Sequence, residues 1–141
     1  GEERRTPGED LARIREVLSP SVTDLASIFG VTRQSVYNWP NGDAVAQDNA
    51  AKLRDLAQAA DVLAHEGATV NAALVQRKLN NGKTLFQVAH AGESARDAAL
   101  LLVQIHKREA AQRERLSARA ANRGGSSATA DFDLPMSNDN A

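Results

Sequence analysis

Apolar positions recur at helical spacing along most of the chain. Leu11, Ile14 and Leu18 lie at i, i+3 and i+7, which places them on one face of a first helix, and Ser19-Pro20 ends that helix. The same spacing predicts further helices, separated by turns rich in glycine, asparagine and proline. The pattern therefore predicts an all-α protein. The predicted helices span residues 10–18, 23–29, 32–39, 48–65, 70–79, 84–90 and 95–123.

The predicted helices form two groups between two polar ends. Residues 1–8 are charged and short of apolar side chains, so we expect a flexible leader there. Residues 9–66 contain the first four helices. Residues 67–123 form an α-helical region that suits dimerisation and ends in a long basic helix. Residues 124–141 begin with Gly-Gly-Ser-Ser and continue as a thin acidic segment, which indicates a disordered tail.

Composition and charge narrow the classes of protein to consider. A chain of 141 residues can bury a sizeable core, and the absence of cysteine removes disulfides, thiol nucleophiles and thiolate metal sites. The longest apolar run is Ala98–Val103, so we expect no membrane span. Net charge is −1 overall but −3, +5 and −3 in residues 1–65, 66–123 and 124–141. The overall charge does not demand a nucleic-acid partner, so that inference depends on a motif.

The stretch 22–39 meets several steric conditions at once. A small residue, Ala26, stands where two short helices come closest, and Gly30, four residues later, supplies a left-handed turn between them. Val36 and Trp39 are spaced to bury the inner face of the second of these helices. This is the spacing of a helix-turn-helix, in which the second helix is presented to the major groove of DNA.

The positions that carry this motif are Leu25-Ala26, Gly30-Val31, Thr32-Arg33-Gln34, Val36, Trp39 and Asn41-Gly42. In type and offset they resemble the Xre/lambda-repressor-like helix-turn-helix family, over roughly residues 9–65. The resemblance implies a DNA-binding domain of about four helices with its recognition helix at 32–39. Pro40 departs from the family pattern, which usually has a non-proline residue after the tryptophan. It predicts a recognition helix that ends sharply at Trp39.

The resemblance also implies roles for polar side chains on and near the recognition helix. Glutamine pairs with adenine and arginine with guanine in the major groove, whereas contacts to phosphates set the register. Trp39 is expected in the core, and Tyr37 is left open between core and DNA contact. The alternative, in which 32–39 is a solvated helix of a generic bundle, also stays open. The residues expected to contact bases are Arg33, Gln34, Ser35 and Asn38. Those expected to hold phosphates are Thr23, Thr32, Tyr37, Asn41 and Lys52.

The last predicted helix has an apolar first half and a basic second half. A heptad-like seam in the first half indicates a homodimer contact, which would pair two recognition helices about one DNA turn apart. The basic residues either approach the DNA backbone or form a solvated helix with Glu109 and Glu114 as partners. The residues expected in the dimer contact are Leu101, Leu102 and Ile105. The basic residues are Lys107, Arg108, Arg113, Arg115, Arg119 and Arg123.

Catalytic and metal-binding patterns do not stand out in the sequence. His65, His90 and His106 are far apart, and no metal-ligand spacing, glycine-rich phosphate loop or nucleophile elbow accompanies them. We therefore expect no enzyme activity, no cofactor and no metal site.

Taken together, these features predict a homodimeric, sequence-specific regulator of transcription that binds double-stranded DNA and acts as a repressor. We expect it in the cytoplasm, associated with the nucleoid and not with a membrane. The alternative is an antitoxin-type or other protein-binding module whose C-terminal region or tail engages a partner protein, with DNA binding used for autoregulation. Phe132, Leu134 and Met136, isolated among acidic residues, motivate that alternative. A DNA binder that organises a chromosome or plasmid is not distinguished from the regulator by these residues.

Overall fold

The computed structural model describes residues 4–127, with side chains through Arg123, and this part of the chain contains helices and no strands. The all-α prediction is confirmed. A short 3-10 turn at Trp39–Asn41 follows the third helix. In chain order the α-helices are α1 (Pro7–Leu18), α2 (Val22–Phe29), α3 (Arg33–Asn38), α4 (Gln47–Ala64), α5 (Ala68–Gln76), α6 (Leu85–His90) and α7 (Ala95–Ser127).

Helix α1 begins inside the segment that the sequence predicted to be a flexible leader. Thr6 Oγ1 accepts a hydrogen bond from the Glu9 N–H at 3.1 Å, and the Glu9 carboxylate accepts from the Thr6 N–H at 2.8 Å. This capping box satisfies backbone donors at the helix start, and Pro7 fits the first turn because no intrahelical partner is needed there. The expectation of a leader at 1–8 is therefore corrected for residues 6–8, which are part of the helix and its cap.

Helices α1 and α4 form the centre of a first compact unit, which extends to Gln104. Leu11 and Ile14 of α1 are completely buried against α4. Alanines among the buried residues of α4 leave room for the two helices to approach closely. The completely buried side chains of α4 are Leu53, Leu56, Ala57, Ala59, Ala60 and Leu63.

Helices α5 and α6 complete the same unit. Helix α5 packs on α1 and α4, and α6 packs on α2. Leu74 and Leu85 are buried in this way. Two such short helices cannot cover their apolar faces with each other alone, so these faces pack against α1, α2 and α4. The predicted division between 9–66 and 67–123 therefore does not coincide with the compact units, because the first unit includes the chain as far as Gln104.

Helix α5 ends at Gln76, earlier than the predicted end at Leu79. The Leu79 N–H donates to the Lys83 carbonyl at 2.9 Å, so it is not available to continue the helix. The turn between these two residues includes Gly82, whose φ of +79° suits glycine.

Helix α7 begins in the first unit and extends past the predicted end. Its residues from Ile105 onward form a second compact unit. The helix continues to Ser127, beyond the predicted end at Arg123. The remainder of the predicted tail, with Phe132, Leu134 and Met136, lies outside the described residues. Among the helices that the structure describes, none is both long enough and apolar enough to cross a membrane.

Candidate nucleic-acid interface

Helices α2 and α3 are joined by a tight turn at Gly30. Gly30 has φ +65°, its N–H donates to the Ser27 carbonyl at 3.3 Å, and the Val31 N–H donates to the Ala26 carbonyl at 3.0 Å. This pair of bonds is the Schellman closure of a helix C-terminus. Any residue with a side chain would be strained at this left-handed φ. The turn predicted at Gly30 is confirmed, and it leads directly into α3.

The inner side of α3 is fixed by apolar packing. Val36 is completely buried, and the Trp39 ring meets the Phe29 ring edge to face with centroids 5.6 Å apart. Ala26 of α2 is also buried. The core positions predicted for Val36 and Trp39 are confirmed. Helix α3 gives way to the 3-10 turn at Trp39, where Pro40 was predicted to stop it.

The outer side of α3 presents Arg33, Gln34, Tyr37 and Asn38. At 3.6 residues per turn these positions share one arc of the helix, opposite Val36. Gln34 Nε2 donates to Asn38 Oδ1 at 3.0 Å, and Tyr37 is 52% exposed. The surface therefore combines a guanidinium, two linked amides and a phenol. Guanidinium, amide and phenol groups are side-chain groups that can hydrogen-bond to base edges and phosphates.

Thr32 and Ser35 form the N-terminal cap of α3. Thr32 Oγ1 accepts from the Ser35 N–H at 3.1 Å and donates to Ser35 Oγ at 3.1 Å. Ser35 is also half-buried, on the inner side of the helix. The Thr32 hydroxyl thus caps α3, and the Ser35 hydroxyl is hydrogen-bonded to it. The base contact predicted for Ser35 and the phosphate contact predicted for Thr32 stay predictions.

Lys52 has an internal partner as well. Its Nζ donates to the Ile28 carbonyl at 2.8 Å, so the ammonium of an α4 residue lies at the C-terminal end of α2. A cation is stabilised there by the carbonyl groups that have no intrahelical donor. The structure gives Lys52 a structural contact that the sequence did not predict, and its contact with a DNA phosphate stays a prediction.

Thr23 and Asn41 are the remaining residues predicted to hold phosphates. Thr23 is exposed in the first turn of α2, and Asn41 is exposed in the 3-10 turn after α3. Their contact with phosphates stays a prediction.

Tyr37, which was expected to hold a phosphate, lies between Arg33 and Gln34 around the axis of α3. One cluster of basic residues was not predicted. Arg4 and Arg54 line a cavity of about 230 Å³ together with Arg5, Asp10 and Gln58. No local pattern connects residue 4 with residue 54, so the cluster is visible only in the fold.

Arg5 and Arg13 both form ion pairs with Asp61. Asp61 accepts from Arg5 Nη2 at 2.7 Å and from Arg13 Nε at 2.8 Å. Burial alone would raise the pKa of Asp61, but the hydrogen bonds from both arginines outweigh burial and lower it. Asp10 lies 3.1 Å from Arg5, and there burial prevails and raises the pKa of the Asp10 carboxyl. Both arginines thus stabilise the fold, while Arg33 remains exposed on α3.

The residues predicted for a dimer contact differ in exposure. Leu102 is completely buried in the first unit, so it cannot contact a second copy of the chain, and that prediction is wrong. Its position on α7 faces the core together with Ala98 and Ala99. Leu101 is 51% exposed. Ile105 is half-buried at the start of the second unit.

The three histidines lie on different parts of the structure. His65 follows α4, His90 ends α6, and His106 lies in α7. Among the residues that the structure describes, no group of three histidine or acidic side chains is placed to hold a metal ion.

No protein-family model matches the chain, and comparison with curated proteins and with solved structures gave no significant match either. Function is therefore inferred from the residues of this chain alone.

Proposed function

We propose that the protein is a sequence-specific regulator that binds double-stranded DNA as a homodimer, with α3 as the recognition helix, in the manner of the Xre/lambda-repressor-like family. The observation that carries the proposal is the division of α3 into two sides. Val36 and Trp39 are buried and fix the helix from within, while Arg33 and Gln34 are exposed and Asn38 is half-buried on the other arc. A rigid helix with hydrogen-bonding side chains on one arc is what readout of the major groove requires.

The outward side chains have complementary roles in such a complex. The Arg33 guanidinium suits guanine O6 and N7, and the Gln34 amide suits adenine N6 and N7. The hydrogen bond from Gln34 to Asn38 restrains both amides before binding, which reduces the side-chain entropy lost on contact with DNA. The exposed Tyr37 hydroxyl is suited to a phosphate, as are Thr23 and Asn41.

The homodimer is supported by apolar surface on α7. Leu100 and Leu101 are 44% and 51% exposed, and a second copy of the chain would remove both from water. A two-fold dimer brings two recognition helices to two half-sites, which explains how a recognition helix of six residues can select a site of useful length.

Selection from a library of random duplexes, at near-physiological salt, tests the proposal. We expect an enriched palindrome whose half-sites are about 10 base pairs apart, or a multiple of that spacing. A library that shows no enriched sequence after repeated selection contradicts a sequence-specific regulator.

The Gln34→Ala variant tests the recognition helix itself. We expect it to weaken binding to the selected site by about 1–3 kcal/mol and to relax the base preference at one position of each half-site. Titration of the selected duplex and of single-base variants measures both effects. Gln76→Ala, an exposed glutamine at the end of α5, is the matched control and should bind like the parent. Unchanged affinity and unchanged base preference in Gln34→Ala would show that α3 does not recognise the bases.

A further inference from the structure

The second unit carries positive charge along one side of α7. Lys107–Arg123 contains six basic and two acidic side chains. Arg108, Arg115 and Arg119 are all exposed, and at 3.6 residues per turn they fall within about 40° of one another around the axis. Arg123 follows on the same side, about 40° further round. We call these four residues the arginine stripe.

Part of the positive charge of the first unit is neutralised by ion pairs within the fold. In the first unit Arg5 and Arg13 pair with Asp61, and Lys83 pairs with Glu93 at 3.1 Å. Arg108, Arg115 and Arg119, in contrast, form no ion pair with any residue that the structure describes. Glu109 and Glu114 both project outside the arc of the stripe. The positive charge of Arg108, Arg115 and Arg119 is therefore presented to solvent.

The stripe also places like charges next to each other. Arg115 and Arg119 are at i and i+4, and like charges at this spacing destabilise a helix. A row of anions along the helix removes this repulsion. The spacing thus favours a partner with repeated negative charge over a single small anion.

The other side chains of the segment distinguish between polyanionic partners. A helix that lies on an anionic membrane needs a continuous apolar side, and Leu116 is the sole large apolar residue in Lys107–Arg123. Guanidinium groups form paired hydrogen bonds with phosphates. From Arg108 to Arg123 the stripe rises about 22 Å along the helix, a length over which each strand of a DNA duplex carries about six phosphates.

We propose that the arginine stripe binds the phosphate backbone of duplex DNA without regard to base sequence. The inference rests on the proposed function, which supplies the duplex as partner. It gives the second unit the electrostatic part of DNA binding and leaves base recognition to α3. The stripe thereby supplies the positive charge that the recognition region lacks, since residues 1–65 have a net charge of −3.

Two double variants of the full chain, each with the same loss of charge, test the stripe. Arg115→Gln with Arg119→Gln removes two cations from it, whereas Lys107→Gln with Arg113→Gln removes two from other sides of the same helix. Glutamine keeps helix propensity, and circular dichroism verifies that both variants fold. Each protein is titrated with a random-sequence duplex at several salt concentrations. The second double variant serves as the control.

The stripe variant is expected to reduce the slope of log affinity against log salt concentration by about 1.8. Between about 50 and 200 mM salt the parent should then lose roughly tenfold more affinity than the stripe variant. The control should keep the slope of the parent. Equal slopes for the parent and the stripe variant would overturn the inference, and so would equal changes in both double variants, because net charge and not the stripe would then govern binding.

The failure of this inference is distinguishable from the failure of the proposed function. A parent that selects a base sequence while the stripe variant keeps the parent slope overturns the stripe alone. A stripe variant that loses slope while no sequence is enriched supports the stripe and overturns recognition by α3. Stripe-dependent binding to phosphatidylserine vesicles, with none to the duplex, would assign a membrane surface and overturn the inference.

Discussion

Asp61 holds two arginines that would otherwise add positive charge to the surface of the first unit. Arg5 contacts it from the segment before α1 and Arg13 from α1 itself. Because the folded protein lowers the pKa of Asp61, folding favours the ionised carboxylate. That stabilisation is complete above the unfolded-state pKa of about 3.9 and is lost as the pH falls through the lower value of the folded state.

We therefore expect Asp61→Asn to lower the free energy of unfolding at neutral pH by about 1 kcal/mol, since solvent screens a carboxylate that is partly exposed. The difference from the parent should shrink once the pH falls below about 4. Urea unfolding at both pH values measures it. Asp43→Asn, exposed in the loop before α4, is the control and should unfold like the parent. A difference that is the same at both pH values would contradict an electrostatic origin.

At the scale of single residues, the sequence predicts roles that depend on neighbours within one or two turns. The burial of Val36 and Trp39 follows from their spacing along α3, and so does the exposure of Gln34. The hydrogen bond of Lys52 does not follow from local spacing, because its acceptor, the Ile28 carbonyl, is 24 residues away in the chain. Residue type alone suggested a phosphate contact, whereas the fold supplies a backbone acceptor.

Among the elements, the start of α7 depends on a carboxylate from a different helix. Asp55 of α4 accepts from the Ala95 N–H at 2.7 Å, from the Arg96 N–H at 3.2 Å and from the Ser94 hydroxyl at 3.0 Å. Ser94 Oγ in turn accepts from the Asp97 N–H at 3.1 Å. The backbone donors at the start of α7 are thus satisfied by two side chains, and the bonds to Asp55 tie α7 to the helix at the centre of the first unit.

Asp55→Ala is expected to lower the free energy of unfolding by about 2 kcal/mol, because it removes charge-assisted hydrogen bonds from backbone donors. Ser94→Ala, which removes one local cap, is expected to cost about 1 kcal/mol. Urea unfolding measures both, and hydrogen exchange at the Ala95 and Arg96 amides should accelerate most in Asp55→Ala. Gln58→Ala, exposed on α4, is the control. Unchanged exchange at these two amides in Asp55→Ala would rule out the capping role.

Helix boundaries were predictable where the signal is local. Thr6 and Glu9 have the spacing of a capping box, which is a local sequence signal for the start of α1. The apolar pattern does not extend into this charged segment, so the pattern alone placed the start of the helix too late. The end of α5 was not predictable, because it depends on a hydrogen bond between Leu79 and Lys83 that forms only in the folded turn. Ser94 has the residue type of an N-cap and lies directly before α7, whereas Asp55 lies some forty residues earlier and no local pattern connects it with that helix.

At the scale of the whole molecule, the sequence predicted the all-α class but not the division into compact units. The predicted boundary lies between residues 66 and 67, at the turn around Gly67, where the helical pattern breaks. The structure instead continues the first unit to Gln104, since the apolar residues of α5 and α6 need the surface of α1, α2 and α4. A break in periodicity marks a turn, and only packing decides whether a compact unit ends there.

The exposed leucines of α7 lead to the last prediction, which concerns the assembly. We expect the full chain to sediment at twice its monomer mass and Leu101→Ser to dissociate the dimer. Complete burial of an exposed leucine contributes about 1.5–3 kcal/mol. Leu101 is 51% exposed and a two-fold interface contains it twice, so association should weaken roughly ten- to hundredfold. Binding to a palindromic duplex should weaken in parallel, because only a dimer occupies both half-sites at once.

Leu116→Ser is the matched control for the dimer, since Leu116 is also 51% exposed but belongs to the second unit. If the dimer contact lies on the first unit, this variant should remain dimeric and bind the palindrome like the parent. Dissociation by Leu116→Ser and not by Leu101→Ser would place the contact in the second half of α7 instead. A parent that stays monomeric at every concentration, with or without the duplex, would contradict the homodimer, and each α3 would then recognise a half-site independently.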